Sequence, residues 1–148
     1  MSRHDTLLIT NNEELCRSVR KGRFVDGSSL DVLVVVRDLI HRGSRLLTHP
    51  LCGNLRPYQQ PFRSVLLEGH PGELVDLESL SMIEEAVAVY QACRDRLIAP
   101  MDLDEAVRAD HAFIDAELMK DSLERYGQLR HAATLLRPAP LRTLDERR

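Results

Sequence analysis

Short runs of apolar residues alternate along the chain with longer segments that carry apolar residues at helical spacing. The runs over residues 6–10, 23–25, 45–48 and 64–68 each reach an Asn, Asp, Pro or Gly within two residues of their end. Short apolar runs bounded by turn-forming residues are typical of β-strands. The pattern therefore predicts four strands.

Two predicted helices separate the first three strands. The first covers residues 13–21. The second begins after Ser28, which forms a capping box with Asp31, and it ends at Gly43. The Val-rich centre of this segment also fits a strand, but a length of about 13 residues favours a helix.

The C-terminal half holds two further amphipathic helices. One follows an N-cap at Asp76, and the other opens at a second capping box formed by Asp102 and Glu105. Because two long helices already suffice to cover a four-stranded sheet, the last helix carries a spare apolar stripe. We expect this stripe to face a second copy of the chain in a homodimer. Its members are Leu103, Val107, Ile114 and Leu118.

The order of these elements predicts an α/β fold, with a small, mostly parallel sheet of about four strands flanked by helices and a helical C-terminal extension. The first three strands should run parallel because right-handed crossovers join them. The direction of the fourth stays open, since its connection carries no helix. We expect an α/β domain over residues 1–98, a helical extension packed on it over residues 99–136, and a disordered tail over residues 137–148.

Composition and charge exclude some classes of binding partner. The 148 residues include 20 Lys and Arg against 23 Asp and Glu, and aromatic residues make up only 4%. A slightly acidic chain with few aromatic side chains lacks the basic surface and the stacking platforms that nucleic-acid binding uses. The sequence also shows neither a signal peptide nor an apolar stretch of membrane-spanning length. We therefore expect a cytoplasmic protein that binds neither nucleic acid nor a membrane.

Motifs that identify a cofactor or a catalytic mechanism are absent from the sequence. It contains no Gly-rich dinucleotide or phosphate loop and no nucleophile elbow. Its three cysteines are widely spaced and form no Cys-x-x-Cys pair. The sequence therefore leaves any cofactor unknown and predicts no metal site.

Small and polar residues gather where the predicted strands end. The carboxyl ends of parallel strands meet at one edge of a sheet, where ligands bind. Free N–H groups at the start of the second helix favour an anion, and Arg56 or Arg63 could pair with its carboxylate or phosphate. The same residues also fit as caps and turns without any ligand. The candidate ligand-binding residues are Thr10, Asn11, Asn12, Gly27, Ser28, Ser29, Thr48, His49, Gly53, Asn54 and Arg56.

His49 and Cys52 are the strongest candidates for a catalytic or metal-binding role, since they lie three residues apart in one loop. They could form a thiolate–imidazole couple, or two ligands of a metal that would still need further ligands. A structural histidine that hydrogen-bonds the loop backbone is the interpretation we favour. The catalytic residue therefore stays unknown, with His49 as its candidate.

The chain also resembles one known family. The matching stretches are residues 9–12, 25–27, 30–33, 36–43, 46–53, 57, 61–65 and 76–80, and the most specific is Thr-His-Pro-Leu-x-Gly at 48–53. This pattern resembles the GrdX family, small proteins encoded beside glycine reductase genes in amino-acid-fermenting anaerobes. The resemblance implies a glycine reductase context but no particular reaction, and it does not extend beyond residue 95.

Three functions follow, in order of preference. The first is a non-catalytic accessory protein that binds a small anionic ligand or a partner in an amino-acid reductase system similar to glycine reductase. The second is a dimeric interaction module that uses the C-terminal helices. The third is a small enzyme with His49 as general acid or base.

Overall fold

Residues 5–51, 56–69 and 74–130 are described by the structure, a computed structural model. They form a four-stranded sheet with two helices against each face. The strands are β1 (Thr6–Thr10), β2 (Gly22–Phe24), β3 (Arg45–Leu46) and β4 (Ser64–Glu68). The helices are α1 (Glu13–Ser18), α2 (Ser29–His41), α3 (Leu77–Ala92) and α4 (Glu105–Arg125).

The sheet has the strand order β2-β1-β4-β3. β1 pairs with β2 in parallel, whereas β4 is antiparallel to both β1 and β3. The first three strands therefore share one direction, and the α/β class is confirmed. The sheet is nevertheless mixed, because β4 runs the other way and separates β3 from β1. A helix-bearing crossover is the usual link between parallel strands, and the described part of the β3–β4 connection holds only a 3₁₀ turn at Pro57–Gln59.

Alternation along the two central strands divides the core into two layers. Leu8 lies opposite Leu66 in the β1–β4 register, and both pack with α1 and α4 on one face. Ile9 lies opposite Val65, and both pack with α2 and α3 on the other face. All four side chains are fully buried. A period of two residues thus supplies an apolar face to each pair of helices.

α2 begins and ends as its sequence predicts. The Ser28 side chain accepts a hydrogen bond from the Asp31 N–H at 3.3 Å, and the Asp31 carboxylate accepts one from the Ser28 N–H at 2.9 Å. Gly43 follows the helix with a φ of 112°, a conformation that other residues rarely adopt. The Val-rich segment is therefore a helix, and its Val32, Leu33 and Val36 belong to the core.

The two C-terminal helices differ in how well their starts were predicted. Asp76 caps α3 as expected, accepting a 3.0 Å hydrogen bond from the Ser79 N–H. The prediction of a capping box formed by Asp102 and Glu105 is wrong. Pro100–Asp102 forms a 3₁₀ turn instead, and α4 begins at Glu105 after Asp104. Pro100 favours this turn because its ring fixes φ and its nitrogen donates no hydrogen bond.

α4 is an integral layer of the molecule. Ala116, Met119 and Leu123 are fully or almost fully buried against α1 and the sheet. The opposite face leaves Val107, Ile114 and Leu118 exposed to 42%, 43% and 39%. None of the helices in the described part of the chain is long and apolar enough to cross a membrane. The predicted tail, residues 137–148, lies outside the described residues.

Candidate ligand-binding site

Asn11 joins three segments through hydrogen bonds at the carboxyl end of β1. Its side-chain nitrogen donates to the carbonyl oxygens of Gly27 and Pro61 at 3.0 and 2.9 Å. Its side-chain oxygen accepts the N–H of Arg63 at 2.9 Å. Every one of these bonds joins elements that are far apart in sequence. The buried amide therefore holds the turn before α2 and the segment before β4 against the end of β1.

The neighbouring Asn12 ties α4 to the same edge. As N-cap of α1 it accepts the N–H of Leu15, while its nitrogen donates to the Ala112 carbonyl at 3.0 Å and to the Asp115 carboxylate at 3.1 Å. Ser64 donates to the same carboxylate oxygen at 2.6 Å, and its hydroxyl also bonds that of Thr10 at 2.7 Å. A buried polar network of this kind requires each group to find its partner. Here the partners come from β1, β4 and α4.

Asp115 is the one carboxyl of this network. Only 8% of the residue is exposed, and burial raises the pKa of Asp115 against the opposing effects of the Ser64 and Asn12 hydrogen bonds and the Arg63 charge. A buried carboxyl favours its neutral form because charge is costly away from water.

Arg63 connects this network to α3. Its guanidinium donates to Gln60 and to the Tyr90 hydroxyl, both at 2.6 Å, and lies over the Tyr90 ring at 5.7 Å from the centroid. Burial raises the pKa of Tyr90, so its hydroxyl stays neutral. The buried arginine predicted as an anion partner is thus held by the protein itself.

A cavity of about 330 Å³ lies over these amides, between the ends of β1 and β2 and the start of α4. We call it the strand-end cavity. Its apolar lining includes Phe24, Phe62, Pro100, Met101 and Ala109. Its polar lining is Asn11, Asn12, Glu13, Glu14, Asp26, Glu105 and Arg108. Small-molecule sites have volumes of about 300–1,000 Å³, so this cavity fits a small ligand.

The charges in this lining are unequal. Four carboxylates line the cavity, and among the described lining residues only Arg108 is positively charged. Arg108 donates to the Leu103 carbonyl at 3.3 Å and lies 3.6 Å from the Met101 sulfur, but its buried Nε has no hydrogen-bond partner in the described part of the chain. A buried donor without a partner costs roughly 1–3 kcal/mol, which a ligand acceptor would recover.

The structure brings only part of the predicted site together. Asn11, Asn12 and Gly27 line the strand-end cavity, and the Thr10 hydroxyl accepts the N–H of Asn12 at 2.9 Å without lining the cavity itself. A Cβ at Gly27 would collide with the Asp31 carboxylate, which accounts for the glycine. Ser28 and Ser29 do not belong to the described lining. Ser28 caps α2, and Ser29 is buried in its first turn.

Thr48 and His49 lie elsewhere because β4 separates β3 from β1. The Thr48 hydroxyl accepts the Leu66 N–H at 3.0 Å and extends the sheet edge. His49 is exposed, and its Nδ1 accepts the Leu51 N–H at 3.0 Å. This local bond is the structural role that the sequence favours for His49.

Arg56 is exposed on a different surface, where it donates to the Tyr58 hydroxyl at 3.0 Å. Gly53 and Asn54 of the predicted site, and Cys52 of the predicted couple, lie outside the described residues. Across residues 5–51, 56–69 and 74–130, no group of three or more His, Cys, Asp or Glu is placed to hold a metal ion.

Sequence reasoning missed the residues that α4 contributes. Arg108 lines the cavity and Asp115 supports its floor, yet both are about a hundred residues from Asn12 along the chain. The available signal for Asp115 is its position on the apolar side of α4, between Ala112 and Met119. An aspartate among core positions indicates a buried partner.

The fold and the cavity define a class of protein: a three-layer α/β domain with a small-molecule-sized cavity at the carboxyl ends of two parallel strands. The family model of GrdX-like proteins matches residues 7–124. The chain therefore belongs to the GrdX-like family, as its strand-end segments predict. The expected limit at residue 95 was wrong, because the match continues through nearly all of α4. No curated protein and no solved structure matches the chain.

Proposed function

We propose that the protein is a non-catalytic accessory protein that binds a small zwitterion, an α-amino acid, in the strand-end cavity. The observation that carries this proposal is the buried Nε of Arg108, which lacks a partner in the described part of the chain and lies in a wall otherwise rich in carboxylates. Binding without turnover fits because the Asn11 and Asn12 amides are fully engaged in holding the floor.

Each charge of an amino acid has a matching group in this cavity. The ligand carboxylate would accept hydrogen bonds from Arg108, whose planar guanidinium suits that shape. The ligand ammonium would lie among the carboxylates of Glu14, Asp26 and Glu105, which line the cavity. A purely anionic ligand, the form expected from the sequence, would meet one cation and four carboxylates. Adding an ammonium group removes this imbalance.

The biological context of the proposal comes from the family. Membership of the GrdX-like family supports a role beside an amino-acid reductase of the glycine reductase type, in the cytoplasm. An accessory protein there would carry or sense an amino acid. The apolar walls at Phe24 and Phe62 leave room for a side chain larger than that of glycine.

A melting-temperature panel with matched ligands tests the proposal. Leucine carries both charges, whereas 4-methylpentanoate lacks the ammonium group and 3-methylbutylamine lacks the carboxylate; glycine lacks the apolar side chain. A ligand present at 100 times its Kd stabilises the folded state by about 2.7 kcal/mol. We expect leucine to raise the melting temperature by several degrees and each single-charge analogue to raise it much less.

Arg108→Gln isolates the ligand contact from general stability. We expect it to abolish the leucine-dependent rise while changing the melting temperature of the free protein little, because it removes one bond to the Leu103 carbonyl but also a buried donor that has no partner in the described residues. Arg125→Gln is the matched control, since it removes an exposed arginine from the end of the same helix. A leucine response that survives Arg108→Gln, or an Arg108-dependent response to 4-methylpentanoate equal to that to leucine, would contradict the proposal.

Helix-mediated dimerisation remains a second candidate function. One specific observation favours it: three of the four residues in the predicted stripe, Val107, Ile114 and Leu118, are about two-fifths exposed on α4. Apolar side chains aligned along one helix face are typical of contacts between subunits.

A further inference from the structure

Two arginines contact one tyrosine that does not belong to the lining of the strand-end cavity. The Arg96 guanidinium lies over the Tyr58 ring, 3.8 Å from the centroid. Arg56 donates to the hydroxyl of the same residue at 3.0 Å. Both guanidinium groups lower the pKa of Tyr58, with the Arg56 hydrogen bond as the largest cause. This cluster concentrates positive charge around an aromatic ring.

Tyr58 also lines a cavity of about 390 Å³, which we call the tyrosine depression. The other lining residues are Gln59, Pro61, Ile98, Leu103 and His111. Three of them are apolar, and no acidic side chain belongs to the described lining. Arg56 and Arg96 are not part of this lining, but both contact Tyr58, which is. The depression therefore offers apolar contact next to two cations.

The charges of this cluster are available to a ligand. Neither Arg56 nor Arg96 forms an ion pair with a carboxylate in the described ranges of the chain, and both are exposed. An arginine stacked on a ring keeps its N–H groups in the guanidinium plane, where they can bond an anion edge-on. Stacking also reduces the side-chain freedom that binding would otherwise remove.

We propose that the tyrosine depression is a second binding site, which takes a small organic anion that joins a carboxylate or phosphate to an apolar group. The anionic group bonds Arg96 and Arg56, and the apolar group lies against Ile98 and Leu103. This site does not depend on the proposed amino-acid site, because the two linings share no residue.

Titration of ¹⁵N-labelled protein with three probes tests the second site. Benzoate and phenyl phosphate carry the anionic group, and benzyl alcohol is the neutral analogue of the same size. We expect the two anions to shift the amide signals of Tyr58, Ile98 and Leu103. The ratio of their Kd values tells whether the site prefers a phosphate or a carboxylate. Benzyl alcohol should bind more weakly by about tenfold or more, since hydrogen bonds to charged groups are lost.

Matched variants separate this site from a purely structural Tyr58–Arg96 contact. Arg96→Gln should weaken binding of the anions by about tenfold or more, whereas Arg94→Gln, an exposed arginine in the same 3₁₀ turn, should not. Arg108→Gln removes a bond to the Leu103 carbonyl, but it should leave the affinity for both anions, followed at Tyr58 and Ile98, unchanged. This result distinguishes the site from the strand-end cavity. Equal binding of benzyl alcohol, no shift with either anion, or full binding by Arg96→Gln would overturn the inference.

Discussion

At the scale of single residues, the Asp115 carboxyl is the group whose charge state matters most for the site. It lies between α4 and the sheet, where it accepts hydrogen bonds from Ser64 and Asn12. Its raised pKa means that folded protein holds this proton to a higher pH than the unfolded chain does. In the window between the unfolded and folded pKa values, the folded state binds more protons, so the free energy of unfolding falls as pH rises.

Asp115→Asn should remove this pH dependence. The amide oxygen of the variant can still accept from Ser64 and Asn12, so the network persists without the charge. We expect the wild type to lose stability relative to the variant as pH rises above about 4, by at most about 1.4 kcal/mol per pH unit. Urea unfolding at a series of pH values measures the difference. The control is Asp121→Asn, an exposed position on the same helix, and a pH profile unchanged by Asp115→Asn would contradict the account.

At the scale of elements, α4 has two faces with different roles. One face holds Ala116 and Met119 in the core, and the other exposes Ile114 and its apolar neighbours. The apolar periodicity predicts the helix and this exposed stripe from sequence. It could not locate the start of α4, because Asp102 and Asp104 are both good capping residues and only the turn at Pro100 decides between them.

The exposed stripe predicts a dimer that one charge should disrupt. Sedimentation equilibrium at tens of micromolar should show a wild-type dimer. Ile114→Glu should yield a monomer, since it places a charge among apolar contacts. Ala106→Glu changes an exposed residue of the same helix outside the stripe and should leave the dimer intact. A monomeric wild type at this concentration would rule out the dimer.

At the scale of the whole molecule, the order of strands decides what the site contains. The sequence predicts the four strands, the directions of the first three and the polar residues at their ends. It does not reveal that β4 lies between β1 and β3, because pairing across the sheet depends on long-range packing rather than on local periodicity. This insertion places β3 two strand spacings, about 10 Å, from β1. His49 is therefore separated from Asn11, and α4 supplies Arg108 instead.

The most direct test of the account is to locate bound amino acid by NMR. Titration of ¹⁵N-labelled protein with leucine should shift the amide signals of Asn12, Gly27 and Arg108 together, with a single Kd, because all three line the strand-end cavity. The His49 signal should stay in place, and any shift at Tyr58 should need more leucine than the shifts in the strand-end cavity. The absence of shifts at millimolar leucine, or shifts centred on Tyr58 or His49 instead, would contradict the claim that this cavity is the ligand-binding site.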